Sequence, residues 1–186
     1  MPLEALPETS RAEKIKAAVA ATEGESNVAR EEIRWKDGET LVLPVVRVPL
    51  DATVLNPSSH RIRAELEALG EDAEVVRTDP FGSDAQELIA GILRSTPGFG
   101  DIKAALDRDD QRDPGVVTHL GLLVNANTRR VALEDLGRGY IKVVVLPEDA
   151  GEREITDLEL ELQMERDVRQ DYTFTAQLLF IEELLL

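Results

Sequence analysis

The chain has 186 residues, long enough for one domain with a sizeable core, and 42% of them are apolar, as in a globular protein. Aromatic residues make up only 4%, which argues against a platform that stacks bases, and the absence of cysteine excludes disulfides, thiolate zinc sites and cysteine nucleophiles. With 21 Lys and Arg against 37 Asp and Glu, the formal net charge of -16 repels DNA phosphates at long range, so contact with nucleic acid has to run through a local basic patch or another domain.

No apolar run approaches the length of a membrane span, and the N-terminus lacks the basic-then-apolar order of a signal peptide, so a cytoplasmic protein with no membrane partner is expected. The first element is a helix from Thr9 to Ala21, with Ser10 and Glu13 placed as a capping box and a weak apolar stripe through Ile15, Ala18 and Val19. After a polar break at Glu23 to Asn27, the segments Glu32 to Trp35 and Thr40 to Val48 flank Lys36-Asp37-Gly38-Glu39. This is the pattern of a β-hairpin on an Asp-Gly turn, with Pro44 placing the second strand at an edge or a bulge.

Val48-Pro49-Leu50 then reads as a strand end, and Leu55-Asn56-Pro57 as a turn, with Ser58 available to cap a helix that runs to Leu69 and stops at Gly70. The first turns of that helix carry His60, Arg61 and Arg63. Glu65 and Glu67 follow at the spacing that pairs arginines along a helix, and one histidine without a second ligand at metal spacing gives no zinc site. Ser83 to Thr96 is an amphipathic helix with Leu88, Ile89, Ile92 and Leu93 inward, Asp101 to Leu106 begins another, and the charged run Asp107 to Pro114 reads as an exposed connection.

The stretch from Leu120 to Pro147 organises the rest. Leu122 to Val124 is a short apolar strand, Asn125 to Thr128 a polar turn, and Arg129 to Leu136 a helix with Asn127 as N-cap and Gly137 at C′. Ile141 to Leu146 is then a buried strand expected beside Leu122 to Val124. Arg129 and Arg130 fall in the first turn, where free N–H groups and the helix dipole already carry positive charge. Local physics disfavours cations there, and a bound anion such as a phosphate would relieve the repulsion. The alternative for Arg130 is a helical salt bridge with Glu134, four residues on, worth a few tenths of a kcal/mol.

Past Pro147 the chain turns helical and acidic. Glu161 and Glu165 lie one turn apart on one face, a spacing that suits a hydrated magnesium ion and also arises on any solvated acidic helix. The end, Tyr172 to Leu186, is a strongly apolar helix. Its last three leucines suggest a cut inside a helix or a dependence on a partner surface, with a homodimer or a partner protein held through residues 174–186.

The order of these segments resembles the N-terminal domain family of ParB partition proteins, which shares its fold with sulfiredoxin. Gly121 to Leu133 reads Gly-Leu-Leu-Val-Asn-Ala-Asn-Thr-Arg-Arg-Val-Ala-Leu, followed by Gly137 and the strand Ile141 to Leu146, and is similar to the family's strand, arginine box, helix and valine-rich strand. Val48-Pro49-Leu50 with Asn56-Pro57 and Arg61 resembles its early strand and Asn-Pro box, and Glu165 to Tyr172 its late box, so the likeness spans about residues 40–180. The resemblance implies an α+β fold: a ParB/sulfiredoxin-like mixed sheet with flanking helices and a C-terminal helical segment. The organisation expected is an N-terminal helix and linker over 1–30, the ParB-like domain over 31–165, and a C-terminal helix over 166–186 that is truncated or dimerises.

The resemblance also implies a nucleotide site. Asn127, Thr128, Arg129 and Arg130 would hold phosphates, Asn56, His60 and Arg61 would border the nucleotide, CTP or ATP, and Glu165 with Glu161 would place magnesium. Thr128 stands where the commonest form of the box has glutamate, and Arg166 where the late box has asparagine. The function expected is a nucleotide-binding switch in a DNA-associated protein, with DNA reached indirectly or through another domain. Two alternatives stand beside it: a ParB-like magnesium-dependent nuclease, NTPase or phosphotransfer enzyme, and a non-catalytic protein interaction module. The sulfiredoxin reaction is excluded, because it needs a cysteine.

Overall fold

The computed structural model describes residues 5–164, apart from the side chains of Asp37, His60 and Arg61. The chain divides into two units, Met1–Ala150 and Gly151–Leu186. The expectations for Glu165 and for the apolar segment 174–186 lie outside the described residues.

The first unit is α+β. Helix α1 covers Glu8–Glu23 and buries Ile15 and Arg11. It starts one residue before the expected helix and has no side-chain cap, so the Ser10 capping box does not form; Pro7 is the residue before the first turn. Strands β1 (Arg30–Arg34) and β2 (Thr40–Pro44) pair antiparallel in the register Ile33↔Leu41, closed by a 3₁₀ turn at Lys36–Gly38 in which Gly38 takes φ +78°. The hairpin follows the Asp-Gly signal, but the long second strand expected to Val48 is split. Pro44, which has no N–H to donate, ends β2, and the chain re-enters a different sheet as β3, Val46–Pro49.

Helices α2 (His60–Leu69), α3 (Glu74–Thr78), α4 (Ser83–Ser95) and α5 (Phe99–Asp109) follow. Ser58 does not cap α2. Its own N–H donates to Asn56 Oδ1 at 3.0 Å, and Ser59 precedes the first turn without a side-chain bond. Arg63 pairs with Glu67 at 3.0 Å, as the helical spacing predicts. Strand β4 (Gly115–Val117), helix α6 (Asn127–Asp135) and strand β5 (Tyr140–Val145) complete the unit.

The second sheet has the order β3-β5-β4, with β3 antiparallel and β4 parallel to β5. The parallel pair is bridged by α6, as parallel neighbours require a crossover. This corrects one expectation. The neighbour of β5 is Gly115–Val117, while Leu122 to Val124 lies across β4 and forms only single bridges, Val117↔Leu123 antiparallel and Val54↔Leu122 parallel.

Alternation along the central strands sends Val46, Val48, Ile141 and Val143 into one core with Ile15 of α1, Ile89 and Leu93 of α4, and Val131 and Leu133 of α6. Each buried Val, Leu or Ile contributes roughly 1.5–3 kcal/mol relative to exposure, so the packing of α6 against α4, α5 and β5 is what fixes its N-terminal end in space.

In the second unit, residues 152–164 are helical. Leu158 is buried, while Leu160 and Met164, four apart on one face, are 44% and 60% exposed. Among the described residues no helix is long and apolar enough to cross a membrane.

Candidate functional site

The start of α6 is built by a tight turn that follows β4. The N–H of Thr118 donates to the Leu122 carbonyl at 2.9 Å, and that of Gly121 to the Thr118 carbonyl at 3.0 Å. Gly121 has φ +91°, and a Cβ there would stand 2.4 Å from the Ala52 carbonyl oxygen, so only glycine lets this turn reach the 50–54 segment. Arg11, itself buried, donates Nε–H to the Leu120 carbonyl at 3.0 Å and Nη1–H to the Leu6 carbonyl at 2.7 Å. A buried arginine missed by the sequence reading thus pins α1 to the turn.

The bridge between Val54 and Leu122 runs in parallel sense, with the Val54 N–H on the Gly121 carbonyl at 2.8 Å and the Leu123 N–H on the Val54 carbonyl at 3.0 Å. The two chains then advance together, one to Asn56 and the other to Asn127.

Between them lies a strained residue. Ala126 adopts the left-handed conformation, φ 67° and ψ 17°, at a cost of roughly 1–2 kcal/mol for a residue with a Cβ. Two features hold it there. Asn125 Oδ1 accepts the Val116 N–H at 2.7 Å, and Gly115 leaves room, since a Cβ on it would stand 2.8 Å from that of Ala126.

Asn127 does not cap its helix. Its Oδ1 accepts the N–H of Asn56 at 2.9 Å, and α6 begins without any side-chain cap. The first-turn N–H groups are those for which a helix start supplies no intrahelical acceptor. The Asn56-Pro57 turn and the turn that opens α6 are therefore in contact. Asn56 and Asn127 are both buried, and Thr128 and Arg129 are half-buried. The other end of α6 follows its glycine signal: the Gly137 N–H bonds the Glu134 carbonyl and the Arg138 N–H the Leu133 carbonyl, both at 2.9 Å, with Gly137 at φ +67°.

The two arginines diverge. Arg129 donates an Nη1–H to the Asp113 carbonyl, in the segment that leads into β4. Arg130 is 5% exposed, pairs through Nη1 with the Glu134 carboxylate, and stands 3.5 Å through Nη2 from the Leu50 carbonyl. Burial holds its pKa below the ordinary arginine value, against the opposing effect of Glu134. The spacing alternative, Arg130 with Glu134, is present, but as a buried ion pair rather than a solvated one, so the surface figure of a few tenths of a kcal/mol does not describe it.

Of the residues expected to border a ligand, Asn56 is placed against Asn127; His60 and Arg61 fall in the first turn of α2, and their side chains are not described. Glu161 is half-buried on the helix over 152–164, and its expected metal partner Glu165 is outside the described residues. Among the described residues, no group of three or more His, Asp or Glu side chains converges as a metal site would.

Two glutamines also went unread in the sequence. Gln86 of α4 accepts the Leu55 N–H at 2.8 Å and donates to the carbonyls of Leu55 and Pro80 at 3.1 and 2.9 Å. Gln111 is 3% exposed inside the run expected to be a solvated connection. It accepts the Lys142 N–H at 2.8 Å and donates to the Lys142 and Asp113 carbonyls at 2.7 and 2.9 Å. A shallow depression of about 370 Å³ lies beside it, towards the C-terminal end of α6, lined among others by Asp107, Asp109, Arg138 and Tyr140. It is remote in sequence from the Asn127 turn and carries its own ion pairs, Arg138 with Asp107 and Arg108 with Asp109. No protein-family model matches the chain, and no curated protein or solved structure matches it.

Proposed function

We propose that the chain is a ParB-like domain that binds a nucleotide through its phosphates at the start of α6 and serves as a switch in a DNA-associated protein. The observation that carries the reading is the hydrogen bond between Asn127 Oδ1 and the Asn56 N–H, which brings together the two boxes that the sequence resemblance assigns to one ligand. An uncapped helix start with a guanidinium in its first turn supports the same chemistry.

Arg129 is the cation assigned to direct contact. It donates to the Asp113 carbonyl, a neutral acceptor, and a bond from a guanidinium to a phosphate oxygen is charge-assisted on both sides. Arg130, held by Glu134 inside the fold, contributes to the shape of the turn rather than to contact. Glu165 with Glu161 is the magnesium position that the sequence resemblance implies, and Glu165 lies outside the described residues.

Calorimetric titration with CTP, ATP and GTP, with and without magnesium, tests this on the native chain and on Arg129→Ala. One nucleotide should bind, and the substitution should weaken it by about tenfold or more, the loss of one charge-assisted contact. Unchanged affinity in Arg129→Ala would overturn the assignment.

A further inference from the structure

We infer that Gln86 is a positioning residue for the 55–59 segment, and that through it the Asp79–Gly82 turn is coupled to the start of α6. Its three hydrogen bonds all go to backbone: the amide oxygen accepts the Leu55 N–H, and the amide nitrogen bridges the carbonyls of Leu55 and Pro80. One side chain thus satisfies both backbone groups of Leu55, the residue before Asn56, and ties them to the turn that opens α4. Asn127 holds the next N–H along, that of Asn56.

Strand pairing of the segment stops at the single bridge of Val54 with Leu122. Beyond that bridge, the restraints on it include the burial of Leu55, the Ser59 N–H on the Asn56 carbonyl, the Asn56 side chain on the Ser58 N–H, Asn127 and Gln86. A shift of the Asp79–Gly82 turn is then felt at Asn56, which links the N-terminal end of α4 to the turn at Asn127. Its consequence for a ligand rests on the nucleotide-site reading. The positioning itself does not.

Gln111 provides the control, since it makes the same kind of three-bond backbone clamp at Lys142, on the central strand β5. The test is amide hydrogen exchange by NMR on the native chain, Gln86→Leu, Gln86→Glu and Gln111→Leu. Gln86→Leu should speed exchange at Leu55, Asn56 and Ser58 by about tenfold or more, with Val116 and Leu123 unchanged, a local opening rather than a global one.

Gln111→Leu should leave Leu55, Asn56 and Ser58 as protected as in the native chain. Gln86→Glu keeps the acceptor and loses the donors, and its carboxylate faces two carbonyls. Protection at Asn56 should therefore recover as the pH falls and the acid regains one O–H donor, a profile that the native chain lacks. Native protection at Asn56 and Ser58 in Gln86→Leu, or an equal loss in Gln111→Leu, would overturn the inference. Where the native chain binds a nucleotide, unchanged affinity in Gln86→Leu would remove the link to the ligand alone, and absence of binding by the native chain would count against the nucleotide reading alone.

Discussion

Asn127 and Asn56, separated by 71 positions, are joined by a 2.9 Å hydrogen bond in which the Asn127 side-chain oxygen accepts the Asn56 backbone N–H. Both residues are buried, so the bond excludes water and sets the distance between the Asn-Pro turn and the start of α6. Asn127→Ala should destabilise the fold by about 1–3 kcal/mol, the cost of a buried N–H left without an acceptor, read as a fall in the urea midpoint. Asn127→Asp keeps an acceptor in place and suits a helix start, so it should cost less, while its charge should abolish phosphate binding. That split separates the structural role of Asn127 from the proposed one.

The Arg130–Glu134 pair is buried on both sides, with side chains 6% and 9% exposed. Truncating either partner should cost about 3–5 kcal/mol, because the other charge is left in the interior. The double variant Arg130→Met, Glu134→Leu should recover most of that loss. A thermodynamic cycle over the four proteins checks it, and additive losses would contradict the burial of the pair.

Gly121 and Gly137 both have positive φ, yet they should respond differently to alanine. At Gly137 nothing lies within 4 Å of an added Cβ, and only the left-handed conformational cost of about 1–2 kcal/mol applies. At Gly121 the Cβ would meet the Ala52 carbonyl oxygen at 2.4 Å, so Gly121→Ala should cost more than Gly137→Ala and pull the 50–54 segment from the turn. Thermal unfolding of the two variants gives the order directly.

Acid should loosen the loop beside Gln111. The Asp110 carboxylate is held below its ordinary pKa by the Lys142 hydrogen bond at 2.7 Å, then by the Gln111 backbone N–H. A lowered carboxylate pKa stabilises the fold above the unfolded value of about 3.9, and the contribution is lost as pH falls through the folded value. The pair is half exposed, so the effect is at most about 1 kcal/mol. Asp110→Asn tolerates the φ of 60° at this position and should flatten stability against pH in that range, as followed by urea unfolding between pH 5 and pH 2.

Local signals in the sequence were legible where one residue dictates the backbone. The Asp37-Gly38 turn produced the β1–β2 hairpin, and Gly137 ended α6 as expected, at φ +67°. The start of α6 was misread for a reason of range. Asn127 has the chemistry of an N-cap, but a donor 71 residues away takes its oxygen, and no local pattern reports that. Strand β4 was passed over as the partner of β5 because Gly115–Val117 is only three residues long, while the apolar run at Leu122 to Val124 looks more like a strand than it is. Gln111 was hidden in a charged run, and Gln86 on the flank of an amphipathic helix. Both clamp backbone far from themselves, so their burial and partners appear only once the chain is folded.

The central claim is that the start of α6 binds phosphate, and a ¹H–¹⁵N NMR titration with inorganic triphosphate tests it most directly. The account predicts saturable shifts centred on the amides of Asn127, Thr128 and Arg129, reaching Asn56 and Ser58 through the Asn127 bond. Saturable shifts confined to Asp107 to Gln111, Arg138 and Tyr140, or none up to millimolar triphosphate, would contradict it.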